Sequence, residues 1–213
     1  CWQWAITDLA AQLQGLVTVP LYPTAGEDQV SFILNDAKPS IVFVDHCRSD
    51  RLAQLKQVKS IHTIVVFYMD SNTVADDFVV GFETFVAQHP APNLLNAALW
   101  QQDRLNDPLT TLYTSGTTGV PKAVPLTHNN IVQNLQAIRD IVPISYTDSS
   151  LSFLPLSHIF ERTVGYYCFL GVGGSIYYAE SIDTVARDLL VAKPSVIISV
   201  PRLYEKIYQK VLG

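Results

Sequence analysis

Charge is what these 213 residues have least of: charged side chains make up 15% of the chain, where about 25% is usual for a globular protein. With 48% hydrophobic residues, this excludes a disordered chain, because apolar burial can offset the entropy of ordering. Basic residues are fewer than acidic ones, 14 against 19, for a net charge of −5. That leaves no surplus with which to hold a phosphate backbone, so nucleic acid is excluded as a general partner. Cysteine is scarce as well. Cys1, Cys47 and Cys168 form no even framework and show no Cys-x-x-Cys or Cys/His ligand spacing, which excludes a disulfide-stapled mini-protein. Three unpaired thiols agree with a reducing compartment, so the cytoplasm is the expected location.

Long hydrophobic runs are missing too. Spanning a bilayer takes roughly 18 consecutive apolar residues, and the most apolar stretch, Thr163 to Tyr178, is interrupted by Gly165, Gly171, Gly173 and Gly174. The N-terminus lacks the basic region that precedes the apolar core of a signal peptide. The first residue is Cys rather than Met. Together with the low charge, this makes the chain an expected piece of a larger protein, partnered by the remainder of its own chain. There is no internal repeat and no low-complexity tract.

What is present is alternation. Apolar residues at Trp2, Ile6, Leu9, Ala10 and Leu13 have helical spacing, and Leu16 to Val19 reads as a short strand running into Pro20. Thr24-Ala-Gly-Glu27 has the form of a capping box and predicts a helix from about 25 to 37, stopped by Lys38-Pro39. Ile41 to Val44 and Ile61 to Phe67 read as strands buried on both faces, with a helix over 49–58 between them. The stretch 68–108 is irregular and is a candidate subdomain edge. After it come strands at 109–113 and 123–126, a helix at 129–141 and a strand at 151–154. A helix at 159–170, a strand at 175–178, a helix at 182–191, a strand at 195–200 and a last helix at 203–212 complete the order. The fold class this implies is α/β, with mostly parallel sheets and helices on both faces.

One segment resists any packing explanation. Tyr113-Thr-Ser-Gly-Thr-Thr-Gly-Val-Pro-Lys122 places four Ser and Thr hydroxyls, two glycines and a lysine just after a strand. Glycines let an anion approach backbone N–H groups, while hydroxyls and a lysine add donors and positive charge. The alternatives are a cradle for a polyphosphate and an ordinary surface turn with a chance lysine. A Walker A loop is excluded, since Pro121 stands where its second glycine belongs and Ala123 follows Lys122.

The stretch Leu112-Tyr-Thr-Ser-Gly-Thr-Thr-Gly-Val-Pro-Lys-Ala-Val-Pro-Leu-Thr-His128 resembles the signature phosphate loop of the adenylate-forming superfamily. That superfamily includes acyl-CoA synthetases, nonribosomal-peptide adenylation domains and beetle luciferases. The family pattern has glycine where this chain has Ala123. Three further stretches resemble its long-chain fatty acid–CoA ligase branch: Val19 to Gly26 continuing to Phe32–Ala37, Leu154 to Arg162, and Ser199 to Tyr208. The resemblance covers nearly the whole chain and implies the first part of the family's large N-terminal domain, over 1–213.

The resemblance also implies chemistry. The substrates would be ATP with Mg2+, a long-chain fatty acid and coenzyme A. Thr114, Ser115, Gly116, Thr117, Thr118, Gly119 and Lys122 would hold the β- and γ-phosphates. His158 would line the acyl and adenylate pocket, its alternative being a capping or structural histidine. Arg162 falls at a gate to the acyl tunnel in some relatives, and the alternative is a solvated arginine paired with Glu161 or another acid. Peripheral membrane contact is compatible with such a substrate. Asp45-His46-Cys47 lacks a second ligand cluster, His128 reads as a helix start, and Tyr166, Tyr167, Phe169, Tyr177 and Tyr178 read as core. The family's later motifs, Tyr-Gly-x-Thr-Glu, a ribose-binding Asp and the catalytic lysine of the C-terminal domain, do not occur in the sequence.

Overall fold

Three β-branched residues in a row, Ile64-Val65-Val66, favour extended backbone, and none of the three is exposed to solvent. The structure is a computed structural model that describes residues 1–46, 49–69, 75–90, 104–115 and 120–212. The chain divides into two units, one comprising Thr24–Asp103 and Leu112–Val124, the other Cys1–Pro23, Arg104–Thr111 and Pro125–Gly213.

The first unit holds α2 (Glu27–Ala37), β1 (Ile41–Val44), α3 (Ser49–Lys56), β2 (Thr63–Val66), β3 (Val79–Gly81) and α4 (Phe82–Gln88). Strand β2 lies between β1 and β3 and pairs with both in parallel, Ile41 opposite Thr63 and Ile64 opposite Val79. Its central place explains why it is buried on both faces. Strand β1 is an edge strand, and Ile41 is 41% exposed, so the expectation of burial on both faces fails there. Strand β3 and helix α4 fall in the stretch read as irregular, 68–108; they belong to the unit, which continues to Asp103. Asp76 shapes the turn into β3 by accepting the Phe78 and Val79 amides at 2.8 and 2.7 Å. Phe67 then meets Phe82 edge-to-face at 5.4 Å, and Phe43 meets Phe85 at 5.9 Å. The capping box expected at Thr24 is absent. Ala25 is buried, extended Gly26 is the N-cap, and no side chain caps the helix.

The second unit opens with α1 (Trp2–Leu13) and later carries α5 (His128–Ile141), β6 (Ser149–Ser152), a π-helix (Glu161–Tyr167), α6 (Cys168–Val172), β7 (Ser175–Tyr178), α7 (Val185–Ala192) and α8 (Pro201–Leu212). Strands β6 and β7 pair in parallel, Ser149 opposite Ser175. Strands β4 (Pro108–Ser115) and β5 (Pro121–Thr127) form a separate two-stranded sheet, and each contributes residues to both units. Ala5, Leu109, Ile131, Tyr166 and Tyr167 form the core here, which agrees with Tyr166 and Tyr167 being core, whereas Tyr177, also expected there, is 47% exposed.

Four expectations change in this unit. The segment 16–19 makes only a bridge from Thr18 to Thr110; Pro20 has no N–H with which to extend a ladder. The segment 195–200 likewise makes one bridge, Ser150 to Val196, because the Ser195 hydroxyl takes the Ser149 amide at 2.9 Å and donates to Asp148 at 2.8 Å. The helix at 159–170 is a π-helix followed by α6. Helix α1 forms over the expected residues with the opposite face inward: Gln3, Ala5 and Asp8 are buried, while Trp2 and Ile6 are 48% and 50% exposed.

The strand positions give the first test. Ile64→Ala should lower stability by about 2–5 kcal/mol, as large-to-small core changes do. Ile41→Ala, at the exposed edge, should cost below about 1 kcal/mol. Urea denaturation followed by circular dichroism reads both, and equal losses would contradict the edge assignment.

Candidate functional site

The glycine- and hydroxyl-rich segment is bracketed by paired strands. Strand β4 ends at Ser115 and β5 begins at Pro121, while Gly116, Thr117, Thr118 and Gly119 lie outside the described residues. Thr114 and Lys122 are exposed on the two shoulders. Tyr113, by contrast, is 4% exposed, and its hydroxyl donates to Asp36 Oδ2 at 2.6 Å. Burial and the neighbouring carboxylate push the phenol up to about 12. Strand β5 runs straight into α5 through a capping box: Thr127 Oγ1 accepts the Asn130 amide at 3.2 Å, and Asn130 Oδ1 accepts the Thr127 amide at 2.9 Å. His128 therefore starts a helix, as its position suggested.

His158 ends a tight turn in which its amide donates to Pro155 O at 2.9 Å. Its ring is exposed and lies 4.6 Å from that of Tyr22, with Nδ1 3.5 Å from the phenol oxygen. The residues that follow it, Ile159 and Phe160, join Leu126, Ile131, Ile138 and Val164 along a groove of about 390 Å3. Asn130, Asn134 and Thr163 add polar groups to its lining. The sequence points to His158 but misses the α5 side of the groove. An apolar stripe on a capped helix reads equally well as core, and only the packing distinguishes the two.

Arg162 departs furthest from expectation. It is not solvated, its relative exposure being 0%, and it pairs with an acid other than Glu161, which bears out the pairing half of the alternative. It forms an ion pair with Asp8, and its remaining donors reach Thr110 Oγ1, Thr18 Oγ1 and Tyr167 OH, each at 2.8 Å. Tyr167 in turn donates to Asp8 Oδ2 at 2.7 Å, and the guanidinium lies 5.3 Å from the Trp4 ring. Burial raises the Asp8 carboxyl, with Arg162, Tyr167 and Thr18 opposing. Arg162 does not line the groove. A guanidinium with all three nitrogens engaged is an anchor for the π-helix, and a gating motion would have to leave these partners uncompensated.

Glu161, next to it, is buried on another side. Ser152 Oγ donates to Oε1 at 2.6 Å, while Oε2 has no hydrogen-bond partner among the described residues. Burial pushes this carboxyl up to about 7. The carboxyl lies over Gly165, where an added Cβ would sit 2.5 Å from Oε1. Any larger residue there would force the Glu161 carboxyl to shift. Thr114 and Lys122 belong to the first unit, His158 and Arg162 to the second. Among the described residues no three His, Cys, Asp or Glu side chains gather to hold a metal. His46 instead stacks on Tyr68 at 5.2 Å, and Cys47 lies outside the described residues. Nor is any described helix long and apolar enough to cross a membrane.

Two measurements follow from the buried charges. Asp8→Ala leaves Arg162 buried without its counter-charge and should cost about 3–5 kcal/mol in urea denaturation. For Glu161 the folded-state value lies above the ordinary 4.5, so the folded state holds a proton that the unfolded state releases first. Its stabilising contribution is full below about 4.5, falls as pH rises, and is gone above about 7, a loss of about 3 kcal/mol. Stability measured from pH 4 to 8 should show this fall in the wild type relative to Glu161→Gln. Parallel profiles would rule out a buried titrating carboxyl.

Comparison with known proteins gives one consistent answer. The AMP-binding enzyme family matches residues 1–212. Long chain acyl-CoA synthetase 7, peroxisomal, of Arabidopsis thaliana is 32% identical over 221 residues, covering 97% of this chain and 30% of that protein. Long-chain-fatty-acid–CoA ligase 5 of Rattus norvegicus is 33% identical over 226 residues, covering 98% of this chain and 32% of its own length. The chain thus spans about a third of the length of these curated relatives. Among solved structures, ATP-bound MatB from Rhodopseudomonas palustris superposes with a TM-score of 0.72 at 23% identity, over 97% of this chain and 39% of that one. A red-emitting luciferase from Phrixothrix hirtus gives 0.76 at 21% identity, over 92% and 48%. These two are likenesses of fold, and they agree with the α/β architecture. The phosphate-loop pattern, the order of elements and the family match over 1–212 lead to one conclusion: the chain belongs to the AMP-binding enzyme family.

Proposed function

We propose that this chain serves the ATP-dependent activation of a long-chain fatty acid to its coenzyme A thioester. The fatty carboxylate oxygen attacks the α-phosphorus of ATP, and the bond to pyrophosphate breaks. The coenzyme A sulfur then attacks the acyl carbonyl, its proton passes to solvent, and AMP leaves. The single observation that carries this reading is the pair of strands β4 and β5 on either side of the glycine- and hydroxyl-rich sequence, with Thr114 and Lys122 exposed on the two shoulders. Hydroxyls, backbone N–H groups and one lysine are a donor set for the charge that develops on departing pyrophosphate. Thr114, Ser115, Gly116, Thr117, Thr118, Gly119 and Lys122 take that role here. The same set does not suit a resident metal, so Mg2+ would enter on the nucleotide.

The groove beside His158, walled by Ile131, Ile138, Ile159 and Phe160, suits an alkyl chain, and His158 would close over the acyl carbonyl. The likeness to named long-chain acyl-CoA synthetases over 97–98% of the chain supports that substrate class. Alone, these 213 residues would bind ATP weakly and complete no ligation, since the adenine, ribose and catalytic-lysine motifs of the family do not occur in them. The location we propose is cytoplasmic, with peripheral membrane contact through the lipid substrate.

Removing the lysine tests the reading. Lys122→Ala should weaken Mg·ATP binding to this chain about tenfold, as expected for a charge-assisted contact, with thermal stability unchanged because the side chain is exposed. Equal affinity in titrations of the two proteins would remove the phosphate role. In the intact enzyme, hydroxamate trapping with alkyl, aryl and amino acids distinguishes a fatty-acid ligase from its aryl- or amino-acid-activating relatives.

A further inference from the structure

We propose that Tyr113 and Asp36 form a positioning pair that fixes the entry to the phosphate loop, an inference that rests on the phosphate-binding reading of that loop. Successive side chains of a strand point to opposite faces. At the end of β4, Tyr113 is buried and Thr114, the first loop hydroxyl, is exposed. Holding the Tyr113 ring in one place therefore sets the direction in which Thr114 is offered.

The hold comes from α2. Val30, Ile33 and Leu34 are buried on one face of that helix, so its last turn is a fixed platform, and Asp36 on that turn accepts the phenol proton at 2.6 Å. Both residues lie in the same unit, and no other hydrogen bond to either side chain occurs among the described residues. The phenol is the only link by which a side chain of α2 reaches the end of β4 through a hydrogen bond among the described residues. The tyrosine's raised value keeps it a donor throughout the neutral range. A phenylalanine would fill the same space and lose only this restraint.

The test uses the 213-residue chain and two readouts: Mg·ATP affinity, and hydrogen exchange of the Thr114 amide. Tyr113→Phe and Asp36→Ala should each weaken ATP binding about fivefold, the scale of one hydrogen bond, and speed exchange at Thr114. The double variant should be no weaker than either single one. Asp36→Asn keeps an acceptor oxygen and should restore both readouts, which a role in net charge would not allow. Wild-type affinity in Tyr113→Phe, or damage by Asp36→Asn equal to that by Asp36→Ala, overturns the proposal. A uniform drop in thermal midpoint that accounts for the affinity changes overturns it as well. If wild type and Lys122→Ala bind ATP alike, the phosphate reading has failed. Exchange at Thr114 still decides the pair: faster exchange in Tyr113→Phe supports the anchor, and unchanged exchange overturns it.

Discussion

A guanidinium withdrawn completely from water can persist only if each of its nitrogens finds an acceptor and its charge finds an opposite one. Arg162 meets both conditions by reaching into four separate parts of the second unit: Asp8 on α1, Thr18 after it, Thr110 in β4 and Tyr167 at the end of its own π-helix. None of these segments is held to the others by a long ladder; between 16–19 and β4 there is a single bridge. One buried charge does what a sheet would otherwise do. The orientation of α1 follows from it, since Asp8 must face inward even though that leaves Trp2 and Ile6 in water.

The first unit works by different means. Its strength is the continuous apolar run of β2 with a partner on each edge, and the polar contacts sit at its margins. Asp76 organises the turn before β3, and Asp36 reaches Tyr113. Both are local carboxylates satisfying groups that the strands leave over. The contrast is between a unit that buries a charge at its centre and one that keeps charges at its rim.

Much of this was legible in the residues. The bounds of α1 and β7 follow from periodicity and from the glycines at 173 and 174, and the loop at 113–122 stands out because its composition serves no packing purpose. Three kinds of feature were not legible. The face of α1 depends on a partner 154 residues away in sequence, and apolar spacing carries no record of it. A capping-box spelling at Thr24–Glu27 is inactive while Thr127–Asn130 is active, because α2 starts only at Glu27 with Gly26 as its N-cap, whereas Thr127 is itself the N-cap of α5. Strand β3 is three residues long, too short for any pattern, and is defined by its pairing with β2. Arg162 shows the same limit at the site: a charged residue in a helical pattern reads as solvated until its counter-charge appears from the other end of the chain.

The winding of the π-helix has a consequence for how this segment can vary. With one extra residue in each turn, Glu161, Arg162 and Thr163 are all buried in succession, as are Gly165, Tyr166 and Tyr167. The run of buried residues continues through Cys168 and Phe169 of α6, so the segment is enclosed on more than one side. Arg162 and Tyr167 both engage Asp8, so removing a single residue between them would change how the two face that carboxylate. The length of this segment is therefore constrained together with the identity of Arg162.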